Sequence, residues 1–191
     1  MKQPYRAGPY IRVPDGTEVS PFLNATDISQ SNVPWGSLGD MSIAAGRIQP
    51  GTSSWIHMHP VVTQVTYITS GNLIVWTKSP GEARNRIETT VGDAIVSQPG
   101  SLIQYVNEKQ CVAEVLYIVQ PSYVFEPGSE ESDEPIYDDA ILIAETWDDV
   151  TNEFATQMKI NLHEAAARRT EALRRIAKTL GQSTSSISAG V

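Results

Sequence analysis

Cysteine is almost missing from this 191-residue chain: Cys111 stands alone, which excludes an internal disulfide and a cysteine-based structural zinc site. Positive charge is in deficit. Fourteen Lys and Arg against 22 Asp and Glu give a formal net charge of −8, so neither nucleic acid nor a membrane surface is an expected partner, since both call for a concentrated basic patch. No run of about 18 apolar residues occurs, so no membrane-spanning helix is expected. The opening residues, MKQPYRAGPYIRVPDG, lack the apolar stretch of a signal peptide, and the cytoplasm is the expected location. Histidine is scarce as well, three in all, so any clustering of them needs an explanation. What remains is a chain with 40% apolar residues, enough for one core and of a length that suits one domain with an extension.

The texture changes along the chain. Residues 1–40 are rich in Pro, Gly, Asn and Ser and read as an N-terminal arm with one or two edge strands. Between residues 41 and 125, runs of four to eight β-prone residues alternate with turn signals: MSIAAGRI before Pro50-Gly51, VTYITS before Gly71, NLIVWT before SPGE, DAIVS before Pro99-Gly100 and VAEVLYIV before Pro121. Short strands at this spacing predict an all-β sandwich or barrel rather than βαβ units. Residues 126–160 begin as an acidic connector. Ten acids and no Lys or Arg fall within 126–149, which reads as a solvated segment with a short apolar patch, AILIA, able to dock as a strand. Their spacing does not fit a twelve-residue calcium loop.

Residues 161–180 predict an amphipathic helix. Asn161 and Glu164 have capping-box spacing, and Leu162, Ala165, Ala166, Arg169, Leu173, Ile176, Ala177 and Leu180 recur on one face. The helix is basic within an acidic protein, so it is expected to lie on its own domain or on a partner subunit. The tail 181–191, GQSTSSISAGV, reads as disordered.

The stretch GTSSWIHMHPVVTQVTYITSG, residues 51–71, carries the chemistry. On a strand, residues i and i+2 share a face, so His57 and His59 project together, with Trp55 on the same parity. Two imidazoles so placed can chelate one divalent metal. Pro60 ends the strand, and Gln64 on the next strand could reach the same ion.

This stretch resembles the first sequence motif of the cupin family, with Gly51, His57, His59 and Gly71 in register and Gln64 where that motif has Glu. GDAIVSQPGSLIQYVN, residues 92–107, is similar to the second motif: Gly92, Asp93, Gly100 and Asn107 align, the proline falls one place late at Pro99, and Ile103 occupies the histidine position. The resemblance implies a jelly-roll β-barrel with a pocket at one mouth and often a homodimer. It also implies one divalent metal ion, usually held by three His and a Glu, with Zn, Ni, Mn and Fe all open as its identity. Here the third His is missing. Gln104 is the nearest replacement if a bulge at Pro99-Gly100 shifts the strand's register; His163 could close the site only if the C-terminal helix covered the barrel mouth. An amide ligand neutralises no metal charge and accepts no proton, which favours Lewis-acid work over redox iron chemistry, and some cupin lyases carry Gln at this position.

A proton shuttle must come from another residue, and Tyr105, on the pocket parity, is the candidate. Arg47 could pair a substrate carboxylate and Trp55 could stack an aromatic substrate. Cys111 reads as buried packing. Three functions stay open: a metal-dependent cyclase, lyase or isomerase acting on a small carbonyl or phenolic substrate, as in natural-product pathways; an Fe(II)-dependent dioxygenase; and a metal-free small-molecule-binding cupin.

Overall fold

The computed structural model describes residues 8–23, 41–126, 128, 135–150, 162–179 and 181. The proposed cap Asn161, the tail beyond 181, and much of the arm and connector lie outside the described residues.

In order the strands are β1 (Ile11–Arg12), β2 (Glu18–Leu23), β3 (Ser42–Ile48), β4 (Thr52–Ser53), β5 (Ile56–Met58), β6 (Thr63–Ser70), β7 (Leu73–Lys78), β8 (Asn85–Thr89), β9 (Ala94–Ser97), β10 (Leu102–Asn107), β11 (Ala113–Gln120), β12 (Phe125–Glu126), β13 (Tyr137–Asp138) and β14 (Ile141–Ala144), followed by one helix, α1 (Leu162–Thr179). Five strands, β3, β6, β7, β9 and β11, follow the β-prone runs named above. The strands build two facing antiparallel sheets, one ordered β1-β2-β3-β11-β6-β9 and the other β14-β5-β10-β7-β8, with β4 also on β10. β12 and β13 pair separately. This two-layer sandwich is the cupin jelly roll that the motifs implied.

Alternation explains the layering. Along β11 the buried positions are Ala113, Val115, Tyr117 and Val119, the period of two that one apolar face requires. They meet Leu73, Val75, Ile103 and Tyr105 of the facing sheet in one core. Gly71 shows why the first motif ends on glycine. Its φ is +76°, and a Cβ there would come within 3.1 Å of Ala113 Cα and of Val112 O, so both the backbone conformation and the space exclude a side chain. Asn107, the last residue of the second motif, is fully buried. Its Nδ2 donates to Ile48 O at 2.9 Å and to Cys111 O at 2.8 Å, and its Oδ1 accepts from Lys109 N at 3.0 Å. That residue pins a loop rather than lining a site.

Two expectations need correction. Cys111 is exposed, because it sits in the bend between β10 and β11 and not on a strand. The acidic connector is not solvated throughout. Its β14 pairs with β5, and Ala144 with partly buried Ile141, Ile143 and Trp147 packs on Ile56, Met58 and Leu102. The sheet containing β10 is thus covered on both faces, and β10 is buried at five of its six positions. Asp139 is buried beneath α1, which packs Ala172 and Ile176 against Val124 and Tyr137.

Candidate functional site

His57 lies in the middle of β5, and His59 follows just past its end, where Pro60 stops the strand. Both are buried, and their ring centroids are 5.3 Å apart. Two imidazoles sharing one ion, with nitrogens about 2.1 Å from it, have centroids about 4.5–5.5 Å apart, so the pair has chelating spacing. His57 Nδ1 lies 2.9 Å from the carbonyl oxygen of Trp55. A carbonyl only accepts, so Nδ1 bears the proton, and in the neutral form of the ring the lone pair lies on Nε2. Asp15 Oδ2, 3.8 Å from the same Nδ1, adds a carboxylate behind the ring, as outer partners of metal-ligating histidines do. Burial, with His57 beside it, pushes the His59 imidazole down to about 3. It is therefore neutral at ordinary pH, the form that can coordinate.

Gln64 reaches in from the facing sheet on β6. Its Nε2 donates to Tyr105 Oη at 2.9 Å, and the same hydroxyl lies 2.6 Å from Thr66 Oγ1. Tyr105 therefore holds the amide by its nitrogen, and no hydrogen bond among the described residues takes the carbonyl oxygen Oε1. Burial pushes the Tyr105 hydroxyl far above its usual range, opposite to what a proton shuttle needs. Tyr105 lines the cavity, but its hydroxyl serves to orient Gln64.

These groups line a cavity of about 600 Å³, within the range of small-molecule sites. Its walls are mainly apolar, with Val13, Val19, Ile43, Val119, Phe125 and Leu142 among them. A second polar group lies on the wall. Tyr123 Oη donates to Asp138 Oδ1, which also accepts from Ala140 N at 2.8 Å. The Tyr123 ring meets His59 edge-on at 5.7 Å between centroids. Burial pushes the Asp138 carboxyl up to about 6, the Tyr123 and Ala140 hydrogen bonds opposing it and Asp139 and Asp15 adding to it. Sequence reasoning missed this residue, because nothing distinguishes it from the other nine acids of its segment.

Four candidate site residues lie elsewhere. Gln104 does not join the ligands. β10 pairs with β7 and β5 without a register shift, so Gln104 points opposite to Ile103 and Tyr105. There its Nε2 donates to Ser54 O at 3.0 Å and Glu145 O at 3.2 Å, and its Oε1 accepts from Trp147 Nε1 at 2.7 Å. Trp55 precedes β5, so the strand's alternation does not reach it, and it is 36% exposed. Arg47 faces outward from β3, with Nε donating to Glu114 Oε1 at 3.0 Å and its guanidinium 4.0 Å from the Tyr10 ring centre. His163 is exposed on α1.

Among the described residues no cluster of three or more His, Cys, Asp or Glu could hold a metal, and Ile103, at the third-histidine position, is fully buried in the core. The donor set is therefore two imidazoles and an amide carbonyl. That fits a divalent ion with three protein donors, leaving positions open toward the cavity.

No family model matches the sequence, and no curated protein does. Among solved structures the chain is similar to Peruvianin-I, a cysteine peptidase from Thevetia peruviana latex, at 15% identity over 70% of each chain with a TM-score of 0.51. It is also similar to an oxalate oxidase, at 20% identity over 61% of this chain and 56% of that one, TM-score 0.49. A third is the CENP-C cupin domain of Drosophila melanogaster, at 19% identity over 58% and 69%, TM-score 0.47. The chain thus spans little more than half of the oxalate oxidase. At these identities the likeness concerns the fold alone, and the neighbours include enzymes as well as a domain not named as one.

Proposed function

We propose that this chain is a metal-dependent small-molecule enzyme. His57, His59 and Gln64 would hold one divalent ion in the cavity, where an apolar carbonyl or phenolic substrate undergoes cyclisation, elimination or isomerisation. The reading is supported by one observation: two imidazoles at chelating spacing, one of them held neutral by burial, line the same largely apolar cavity as an amide oriented by Tyr105. A bound ion would supply undiminished positive charge, polarising a carbonyl or acidifying a hydroxyl. The chain's own residues do the rest. Trp55 O holds His57 in the tautomer that leaves Nε2 free, Tyr105 and Thr66 turn the Gln64 amide, and the apolar wall excludes water and selects a largely hydrophobic ligand. The amide in place of a carboxylate argues against the dioxygenase.

A second reading, a metal-free binding protein, has a specific observation in its favour: Ile103 fills the third ligand's place with packed core. Elemental mass spectrometry decides between them. About one metal per chain, absent from an H57A/H59A double variant, is the expected result. Less than about a tenth of an equivalent after incubation with excess Zn, Ni, Mn or Fe would leave the binding protein.

A further inference from the structure

Two neighbouring aspartates at the hairpin of β12 and β13 are treated differently by the fold. Asp139 has both oxygens committed: Oδ1 accepts from Tyr137 Oη at 2.8 Å, and Oδ2 accepts from Val124 N at 2.7 Å and Arg169 Nε at 3.3 Å. That carboxylate is structural. Asp138 has both of its hydrogen bonds on Oδ1, from Tyr123 and Ala140. No hydrogen bond among the described residues takes Oδ2, no cation pairs with the carboxyl in that set, and the residue lines the cavity. A carboxyl anchored by one oxygen, with the other free of hydrogen bonds in that set, on a residue lining a largely apolar chamber, has the geometry of a proton-transfer group.

We infer that Asp138 is the cavity's acid–base residue, its Oδ2 exchanging a proton with a carbon next to the carbonyl of a bound ketone. The inference rests on the reading of the cavity as a site for carbonyl compounds. In the forward step the ligand C–H bond breaks, the O–H bond forms on Oδ2, and the electron pair moves onto the ligand oxygen as an enolate. The reverse step returns the proton to carbon, so nothing is consumed. Tyr123 is a positioning residue: its hydroxyl fixes Oδ1 and so aims Oδ2. The groups facing the carboxyl are Tyr123 on its own side, Asp139 with Arg169 from α1 behind it, and Asp15 from the loop after β1. A carboxyl raised to about 6 by burial gains and loses its proton near neutral pH, as this task requires.

The probe is 2-tetralone, an apolar bicyclic ketone with exchangeable protons beside its carbonyl. Its deuterium uptake in D₂O is followed by proton NMR with wild-type, D138N, Y123F and H57A/H59A protein. The wild type is expected to accelerate uptake saturably, and D138N to lose about 100-fold or more of that acceleration while still binding the ketone and keeping its unfolding midpoint. Y123F is expected to retain part of the exchange with a displaced pH midpoint, which a merely structural tyrosine would not produce. Loss of exchange in D138N with metal content and ketone binding unchanged supports Asp138, whereas loss in H57A/H59A with full exchange in D138N assigns the step to the histidine pair and overturns the inference, which separates the two readings. Wild-type exchange at the buffer rate, or undiminished exchange in D138N, overturns the inference. Should D138N not fold, carbon-13 NMR of the wild-type carboxyls serves instead: a resonance titrating near pH 6 and shifted by 2-tetralone supports the assignment. The absence of either response refutes it.

Discussion

Removing the guanidinium of Arg169 should destabilise the protein more than its place on a basic, largely solvated helix suggests. Arg169 is 7% exposed and Asp139 is 1% exposed, with Nε 3.3 Å from the carboxylate and Nη2 donating to Ser122 O. In R169A the Asp139 carboxylate keeps only neutral donors, Val124 N–H and Tyr137 O–H. Leaving a buried charge without its partner costs about 3–5 kcal/mol, and the lost bond to Ser122 about 1 kcal/mol more. A deficit of about 4 kcal/mol at pH 8 is expected from urea unfolding followed by circular dichroism, or a fall of about 8–16 °C in midpoint. The sign of its pH dependence follows from Asp139, whose carboxyl burial already raises against the pull of Arg169. Without that cation it rises further. A raised carboxyl confers stability at low pH that disappears as pH climbs through its folded value, so the deficit of R169A should shrink on acidification. R169M/D139L, which removes both charges, should recover most of the loss. An R169A protein within about 0.5 kcal/mol of wild type at pH 8, where surface ion pairs fall, would refute the argument, as would a deficit that stays flat down to pH 4.5.

Metal-stripped protein should lose stability as the pH drops from about 6.5 toward 3. The unfolded chain protonates His59 near its ordinary value, whereas the folded one resists until about 3; the window amounts to about 4–5 kcal/mol, and H59Q should flatten the curve. I103H should tighten zinc binding by about tenfold or more, one decade per 1.4 kcal/mol of added coordination, because Ile103 pairs directly with His57 across β10 and β5. Unchanged affinity by competition with a chelating dye would place that side chain outside reach of the ion. N107A should cost about 2–4 kcal/mol, since it strands the buried Ile48 carbonyl and frees the loop at Lys109 and Cys111, yet leave metal content unaltered. A change in metal content would show that Asn107 is part of the site.

Strands β3, β6, β7, β9 and β11 were legible because their β-prone runs are bounded by turns containing glycine or proline, and the two-layer fold follows from alternation within them. His57 and His59 share a face for the same local reason. Gln104 could not be placed from sequence. Its side was conditional on a bulge, and only the continuous pairing of β10 with β7 shows that none displaces it. Arg47 illustrates the same limit, for its partner Glu114 lies 67 residues away. Nor does the connector's composition reveal that, among its described acids, Asp139 is buried and Asp138 lines the cavity.

What the sequence determined by itself was therefore of short range: where several strands begin and stop, which residues share a face, and that two imidazoles stand together. The tertiary structure decided which face met another layer. Burial, hydrogen-bond satisfaction and pKa are set by neighbours brought from distant segments. Folding alone covered the outer face of β10, buried Asp139 against Arg169, and placed Asp138 on the cavity wall with both of its hydrogen bonds on one oxygen.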